Sequence, residues 1–271
     1  MRGRRLGPWL LLAPALLALF FAFALPVGML LSRAFTEPGS FSTLWQTPVY
    51  LQVLGNTLLI SAVATPVALL LGFPVAHAMA HGGARLRRLM LFLVLLPFWT
   101  SLLVRSFATI ILLQRRGPVN ALLLNLGLAE APLPLLHNLT GLMLGAIQLL
   151  LPFVILPLYA VMRRIDPGFM RAALSLGASP AQAFWRVYLP LCLPGVTTGG
   201  ALVFISMLGY FVTPALLGGP RQTMVAQLIQ EQVAQFGQWG LAGALSLLLL
   251  VAVFLILGIA WRAASSRSVT P

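Results

Sequence analysis

Long apolar runs separated by short polar stretches are the feature that most restricts how this chain folds. Only 8% of its 271 residues are charged, whereas a soluble domain carries about 25%. A run of about 20 apolar residues crosses the hydrocarbon core of a membrane as a helix. The sequence therefore predicts an all-α, polytopic membrane protein with six transmembrane helices, at about residues 6–32, 56–80, 89–113, 138–162, 191–217 and 239–261.

The first apolar run begins after three arginines, as it does in both signal peptides and first membrane helices. Ala22-Phe23-Ala24 is similar to a signal-peptide cleavage site. The run continues past that site to Ser32, however, and reaches spanning length. We therefore expect an uncleaved first helix, followed by a loop from Arg33 to Leu54.

Arginine supplies all 17 basic residues and the net charge of +13. Without lysine, the chain lacks the P-loop lysine of a P-loop ATPase. The arginines are scattered between apolar runs, so no sustained basic face for nucleic acid is expected. With six spans, twelve arginines fall on the side of the two termini and four on the other side. The positive-inside rule then predicts that both termini are cytoplasmic.

The stretch Asp166–Pro190 carries strong signals for helix ends. Asp166 followed by Pro167 predicts an N-cap with proline at the first helical position. Gly177 stands where a glycine ends a helix, and Ser179 to Gln182 fits a capping box that starts a new one. We expect a helix of about ten residues, a glycine turn and a second helix. So short a helix is marginal alone, and it needs packing against the chain or another protein.

This stretch resembles the EAA loop of ABC-transporter permease subunits. The matching residues are Ala172-Ala173, Gly177, Val187 and Leu189-Pro190, at the spacings of the family pattern. Arg171 stands where the family has an acidic residue, which puts any particular salt bridge there in doubt. The resemblance implies that the short helix is a coupling helix, which docks into a cleft on a cytoplasmic ATPase.

Other segments are similar to spermidine/putrescine permease subunits. They are Pro97–Arg105, Leu151–Tyr159 and Asn56-Thr57-Leu58, and the likeness extends over about residues 50–262. It implies the type I ABC importer permease fold in a bacterial inner membrane. The implied organisation is an N-terminal helix and periplasmic loop (1–54), a permease core (55–262) with the coupling loop at 163–190, and a cytoplasmic tail (263–271).

The resemblance also implies partners. They are a second permease subunit, forming a heterodimer, a cytoplasmic ABC ATPase dimer and a periplasmic solute-binding protein. ATP and magnesium would be used by the ATPase, so this chain itself is expected to be no enzyme and to bind no cofactor. The expected ATPase contacts are Gly168, Met170, Arg171, Ala172, Ala173, Leu174, Leu176, Gly177 and Ala178.

The candidate residues of the substrate path are Trp99, Arg105, Tyr210, Phe211 and Glu231. The expected spans contain no Asp or Glu, so aromatic faces would receive a cationic substrate, unless the second permease supplies the acids. Arg105 would repel a polycation, which favours a structural role for it. Glu231 is open to three interpretations: contact with substrate, contact with the binding protein, or an ordinary loop charge.

Several alternatives remain at this point. The cargo could be iron, an oxyanion or an organic phosphonate instead of a polyamine. An intramembrane hydrolase is a remote alternative, since the chain has no GxSxG motif and no aspartate in its expected spans. His77 and His81 are four residues apart, as in a metal pair, but no third ligand is evident. We therefore expect no metal site.

Overall fold

The regular elements of the described chain are all helical. The computed structural model describes residues 7–265, and the side chains of residues 12–258. The helices in the first half are α1 Gly7–Leu19, α2 Leu25–Thr36, α3 Ser40–Gln46, α4 Pro48–His81, α5 Ala84–Leu95, α6 Leu102–Leu113 and α7 Pro118–Asn125. Those in the second half are α8 Leu139–Met162, α9 Pro167–Ser175, α10 Pro180–Ala183, α11 Leu189–Leu208, α12 Val212–Leu217, α13 Val225–Ala234 and α14 Trp239–Ser265.

Five described helical stretches are long and apolar enough to cross a membrane. They are Leu12–Thr36, Pro48–His81, Leu139–Met162, Pro180–Leu208 and Trp239–Gly258. A pair, Ala84–Trp99 and Leu102–Asn125, is bent by 106° and makes a sixth span if it is counted as one. The prediction of an all-α membrane protein is confirmed.

Two of the expected spans were wrong in detail. The third was expected to be one helix over residues 89–113, but it breaks at Thr100 and Ser101 after a 3₁₀ turn, Leu96–Trp99. The fifth was expected over residues 191–217. Its helical run instead begins at Pro180 and ends at Leu208, and α12 follows as a separate helix.

Two π-helical turns allow long helices to pass a proline. Phe20–Ala24 joins α1 to α2, and Phe184–Tyr188 joins α10 to α11. In each, the residue before a proline donates its N–H five residues back, from Leu25 to Phe20 and from Leu189 to Phe184. Proline in a regular α-helix clashes with the carbonyl four residues earlier. We infer that the wider turn accommodates Pro26 and Pro190 without ending the helix.

The loop expected from Arg33 to Leu54 is largely helical. Helix α2 continues to Thr36, α3 follows after Gly39, and α4 already begins at Pro48. Gly39 has a φ of +87°, a left-handed conformation that separates α2 from α3. The expectation of one loop was wrong because glycine and proline here mark helix ends.

The chain divides into two compact units. One contains the described residues of Met1–Gln52 and Leu228–Pro271, and the other is Val53–Gln227. In the first unit, α2 packs against α14. There the Gly240 N–H donates to Glu37 Oε2 at 2.7 Å, and Arg33 Nη1 lies 3.6 Å from Glu37 Oε1.

In the second unit, α4, α8 and α11 meet around Val154. A Cβ atom at Gly72 would lie 2.7 Å from Val154 Cγ1, and one at Gly199 would lie 3.2 Å from Val154 Cα. Gly195, one turn before Gly199, would bring a Cβ within 3.1 Å of Leu158 Cα. Small residues four apart allow membrane helices to approach closely, so these glycines fix the contact between α8 and α11.

Candidate functional site

The short helix α9 starts as the sequence predicts. Asp166 has an extended backbone, and its carboxylate accepts a hydrogen bond from the Gly168 N–H at 2.8 Å. Pro167 occupies the first helical position, where its missing N–H costs nothing. The N-cap prediction is confirmed, and the first turn of α9 is held by bonds within three residues.

The end of α9 is a Schellman motif. Gly177 has a φ of +87°, its N–H donates to the Leu174 carbonyl at 3.0 Å, and the Ala178 N–H donates to the Ala173 carbonyl at 3.1 Å. These are the two bonds that define this motif. The predicted glycine turn is therefore confirmed.

The capping box after the turn is also confirmed. Gln182 N–H donates to Ser179 Oγ at 3.2 Å, and Ser179 N–H donates to Gln182 Oε1 at 3.0 Å. Helix α10 thus begins independently of α9. The turn that connects them is fixed at both ends by its own residues.

Helix α9 presents apolar side chains to its surroundings. None of its residues is buried. Leu176 is 89% exposed, and Phe169 and Leu174 are also exposed. Met170, in contrast, is partly buried against the core of its own unit. Of the expected apolar contacts, Leu174 and Leu176 are therefore free for a partner, whereas Met170 also packs within the chain.

Phe169 was not among the expected contacts. It lies seven residues before Leu176, so the two are two turns apart on one helix face. This seven-residue spacing was the signal in the sequence that could have identified Phe169 as a contact. Exposed arginines lie on this helix and in the segments before and after it, namely Arg163, Arg164, Arg171 and Arg186. We call Phe169, Leu174, Leu176 and Arg171 the coupling surface.

The break in the third span is held by Arg105. Its guanidinium donates to the Pro97 carbonyl, to the Thr100 carbonyl at 3.2 Å and to Thr100 Oγ1 at 2.7 Å. Carbonyls at a helix end have no partner in the helix itself. Arg105 donates to both carbonyls, and the Thr100 N–H and hydroxyl also donate to the Pro97 carbonyl. These bonds satisfy the donors of the guanidinium within the apolar segment. This geometry supports a structural role for Arg105.

Trp99 stands directly before this break. It is 76% exposed, and the preceding Phe98 is also exposed, with its ring in edge contact with Phe153 at 5.6 Å between centroids. The bend therefore places one ring, that of Phe98, in contact with Phe153, and it leaves the indole of Trp99 uncovered by its own unit.

The break in the fifth span lies against the break in the third. Leu102 and the residues Gly209–Thr213 line one cavity of about 170 Å³. Arg105 and Tyr210 are near enough to interact electrostatically. Phe211 is partly exposed at this cavity, and the Thr213 hydroxyl is buried without a hydrogen-bond partner among the described residues.

Of the expected path residues, four thus lie near the two breaks: Trp99, Arg105, Tyr210 and Phe211. Glu231 lies on α13 and is only partly exposed. It belongs to the other compact unit.

His77 and His81 take part in ring contacts within the chain. His77 Nδ1 forms a hydrogen bond with the Tyr188 hydroxyl at 3.1 Å, and the His81 ring N–H donates to the His77 carbonyl at 3.1 Å. Among the described residues no group of three or more His, Cys, Asp or Glu side chains is placed to hold a metal ion. The partner of His77 was missed because it lies 111 residues away in the sequence.

Known proteins are similar to this chain in sequence and in fold. Residues 68–271 match the family described as binding-protein-dependent transport system inner membrane component. The spermidine/putrescine transport system permease protein PotB of Haemophilus influenzae is 38% identical over 216 residues, covering 80% of this chain and 76% of that protein. PotB of Escherichia coli K12 is 34% identical over 216 residues, covering 80% and 78%.

A solved structure supports the same fold. A chain of a bacterial alginate ABC transporter, in complex with an alginate pentasaccharide-bound periplasmic protein, has a TM-score of 0.74 at 20% identity and covers 97% of this chain. This likeness confirms the type I importer permease fold. The protein is a multi-pass inner membrane protein and a transport subunit, not an enzyme. The chain belongs to the family of binding-protein-dependent transport system inner membrane components, the permeases of ABC transporters.

Proposed function

We propose that this chain is a permease subunit of a polyamine import system, which moves spermidine or putrescine across the bacterial inner membrane. The assignment of a polyamine cargo rests on the 34–38% identity with spermidine/putrescine permease proteins over 80% of the chain. A second permease subunit completes the pathway as a heterodimer, and a periplasmic binding protein delivers the substrate.

The coupling surface is the docking site for a cytoplasmic ABC ATPase dimer. Helix α9 has no buried residue of its own, and it exposes Leu176 together with Phe169 and Leu174. Burying such side chains against a partner stabilises a complex by about 1.5–3 kcal/mol for each fully covered residue. ATP and magnesium belong to the ATPase, and this chain binds no cofactor.

The chemistry of the coupling surface indicates the kind of cleft it enters. Arg171 adds a positive charge beside the apolar side chains, where the permease pattern has an acidic residue. A cleft with an apolar floor and an acidic group at its rim would match this surface. We expect the ATPase of this system to carry that acidic group.

Orientation follows from the arginines. Twelve lie on the side of the two termini and the coupling loop, against four on the other side. Under the positive-inside rule the termini and α9 are cytoplasmic. The ATPase and the coupling surface are then on the same side of the membrane.

The substrate path runs beside the two helix breaks. Trp99, Tyr210 and Phe211 offer aromatic faces, which attract organic cations. Arg105 donates to the carbonyls of its own break and to the Thr100 hydroxyl, and these bonds hold its guanidinium at the break. Acidic groups for the polyamine come from the second permease, because the candidate spans of the described chain contain no Asp or Glu, and Glu37 lies just past the end of the first span.

A reconstituted complex tests the cargo. The permease pair, the ATPase and the binding protein are placed in proteoliposomes, and ATP hydrolysis is measured with spermidine, putrescine, ferric iron, molybdate or a phosphonate. We expect stimulation by the polyamines alone. Stimulation by another solute, with no response to either polyamine, would replace the polyamine assignment with that cargo.

Crosslinking tests the docking separately. Leu176→Cys, paired with cysteines around the ATPase cleft, should form a disulfide under mild oxidation. Leu126→Cys is the matched control, since Leu126 is also exposed and also ends a helix before a glycine with positive φ. Equal crosslinking of the two positions would remove α9 as the docking element.

A further inference from the structure

The inner end of α4 interlocks with the segment that follows the coupling turn. Phe73, His77 and His81 are spaced four apart on one face of α4. Phe184 and Tyr188 project from the π turn towards them, with centroid distances of 6.1 Å for Phe73–Phe184, 5.2 Å for His77–Tyr188 and 5.6 Å for His81–Tyr188. We call these five rings the ring ladder. Movement of one side of it therefore presses directly on the other.

One hydrogen bond crosses the ring ladder. His77 Nδ1 and the Tyr188 hydroxyl are 3.1 Å apart, and Tyr188 is only 3% exposed. A buried tyrosine hydroxyl without a partner is costly, so this contact resists separation and sliding. The ring of His81 instead bonds to the carbonyl of His77 within the same helix. The His77–Tyr188 bond is thus the directional link between the two segments.

Tyr188 is attached to the coupling helix in two ways. The π turn Phe184–Tyr188 packs against α9, and it continues the chain from α10 after the capping box at Ser179. A displacement of α9 reaches Tyr188 by contact and along the backbone. π turns within α-helices are frequent at functional sites.

The other end of α4 is also tied to a distant segment. Thr57 is fully buried, and its Oγ1 accepts a hydrogen bond from the Val225 N–H at 2.9 Å. The neighbouring Asn56 donates from Nδ2 to the Arg221 carbonyl at 3.0 Å. From Thr57 to His77 the helix rises about 30 Å, which matches the thickness of the hydrocarbon core.

We propose that α4 is a transmission rod, which carries movement of the coupling helix across the membrane to the segment Arg221–Val225. The inner joint of the rod is the His77–Tyr188 bond, and the outer joint is formed by Asn56 and Thr57. This inference rests on the proposed function, because it takes α9 to be moved by the ATPase. It assigns positioning roles to His77 and Tyr188, which then act on transport through α4.

A thiol reporter at the outer joint measures the transmission. Arg221→Cys keeps the backbone carbonyl that Asn56 binds, and the native Cys192 is fully buried and thus shielded from reagents. The complete complex in membranes is labelled with a membrane-impermeant maleimide, with and without ATP and vanadate. We expect the labelling rate of the reporter thiol to change with nucleotide.

Tyr188→Phe removes the hydroxyl of the inner joint, and with it a weak interaction with the Cys192 thiol one turn further along the chain. The nucleotide-dependent change in labelling should fall about five-fold, the factor that corresponds to the loss of one hydrogen bond of about 1 kcal/mol. Tyr159→Phe is the matched control. Its hydroxyl also lies at the inner end of a membrane helix, and it accepts a hydrogen bond from Arg163 Nη1 at 3.0 Å, but this bond joins residues only four apart in the sequence. That variant should keep the full change.

His77→Phe is the second variant, since it retains a ring in the ladder and removes Nδ1. The labelling rate of the reporter thiol is compared with that of the parent complex in each single variant that keeps the melting temperature of the parent. If the two residues act as one joint, the double variant loses no more than the larger single loss. A full nucleotide-dependent change in both single variants, or no change in the parent, overturns the inference.

The cargo assignment can fail independently. A complex that ignores polyamines yet shows the nucleotide-dependent change at the reporter thiol, reduced in Tyr188→Phe, retains the transmission rod and loses only the polyamine. If polyamines stimulate the complex and neither Tyr188→Phe nor His77→Phe alters the labelling, the polyamine assignment is retained and the transmission rod is lost.

Discussion

The chain interrupts its helices at two places in different ways, at the coupling turn and at the break in the third span. The coupling turn is closed by backbone bonds at Gly177 and Ala178 and by a capping box at Ser179, all within a few residues. At the third-span break only the Pro97 carbonyl is bound locally, by the Thr100 N–H and hydroxyl, and Arg105 reaches back to donate to the Pro97 and Thr100 carbonyls. The first arrangement frees side chains for a partner. The second uses one charged side chain to keep a bend inside an apolar segment.

This difference predicts different sensitivities. A turn held by backbone geometry tolerates changes of its exposed side chains but not of its glycine. A bend whose Thr100 carbonyl and hydroxyl are both bound by one guanidinium depends strongly on that group. Three substitutions, taken from the largest expected effect to the smallest, test this contrast.

Arg105→Met should have the largest effect. It takes the guanidinium away from the Thr100 carbonyl and from the Pro97 carbonyl, which keeps its bonds from the Thr100 N–H and hydroxyl. Each lost bond to a charged group contributes about 1.5–3 kcal/mol. We expect uptake of labelled spermidine to fall by about 100-fold at equal protein level. Arg105→Lys retains the charge without the planar fork, and it should recover part of the activity. Wild-type uptake by the methionine variant would show that the bend does not depend on the arginine.

Gly177→Val should have the next largest effect. The φ of +87° strains any β-branched residue, at a cost of about 1–2 kcal/mol. Transport should fall by about ten-fold, while ATP hydrolysis without binding protein persists. Gly127→Val is the matched control, because Gly127 has a φ of +65° and the same motif at the end of α7. If both variants uncouple transport from ATP hydrolysis equally, the strain acts through folding rather than through the coupling surface.

Leu176→Ser should have the smallest effect on the permease itself. The side chain is 89% exposed, so its loss should leave the melting temperature of the isolated permease unchanged. Binding of the ATPase should weaken by about ten-fold, in line with the burial of one leucine. Leu126→Ser, at the corresponding position before Gly127, should leave ATPase binding unchanged. A lower melting temperature for Leu176→Ser would mean that α9 packs within the chain instead.

The two interruptions also differ in how far they could be predicted. The N-cap at Asp166, the glycine at position 177 and the capping box at Ser179 each encode their geometry in neighbouring residues, and all three predictions are confirmed. The third-span break was missed, because the apolar run is continuous and Arg105 bonds to a carbonyl eight residues away. The contact of His77 with Tyr188 depends on tertiary packing, which no local pattern encodes.

The expected loop after Arg33 was wrong for a related reason. Gly39 and Pro48 were taken to mark a loop, whereas they mark the boundaries of helices α3 and α4. Punctuation residues indicate where helices end, and they leave open whether another helix starts at once. The roles assigned to the coupling surface and to the path residues stay predictions, which the experiments above address.

The π turn at Phe184–Tyr188 also sets the rotational phase of everything that follows it. One residue removed from this turn would rotate α11 by about 100° relative to α10. Gly195 and Gly199 would then face away from α8, and bulkier neighbours would meet Val154 and Leu158 in their place. The number of residues in this turn therefore sets which face of α11 meets α8, and it matters more than the identity of those residues.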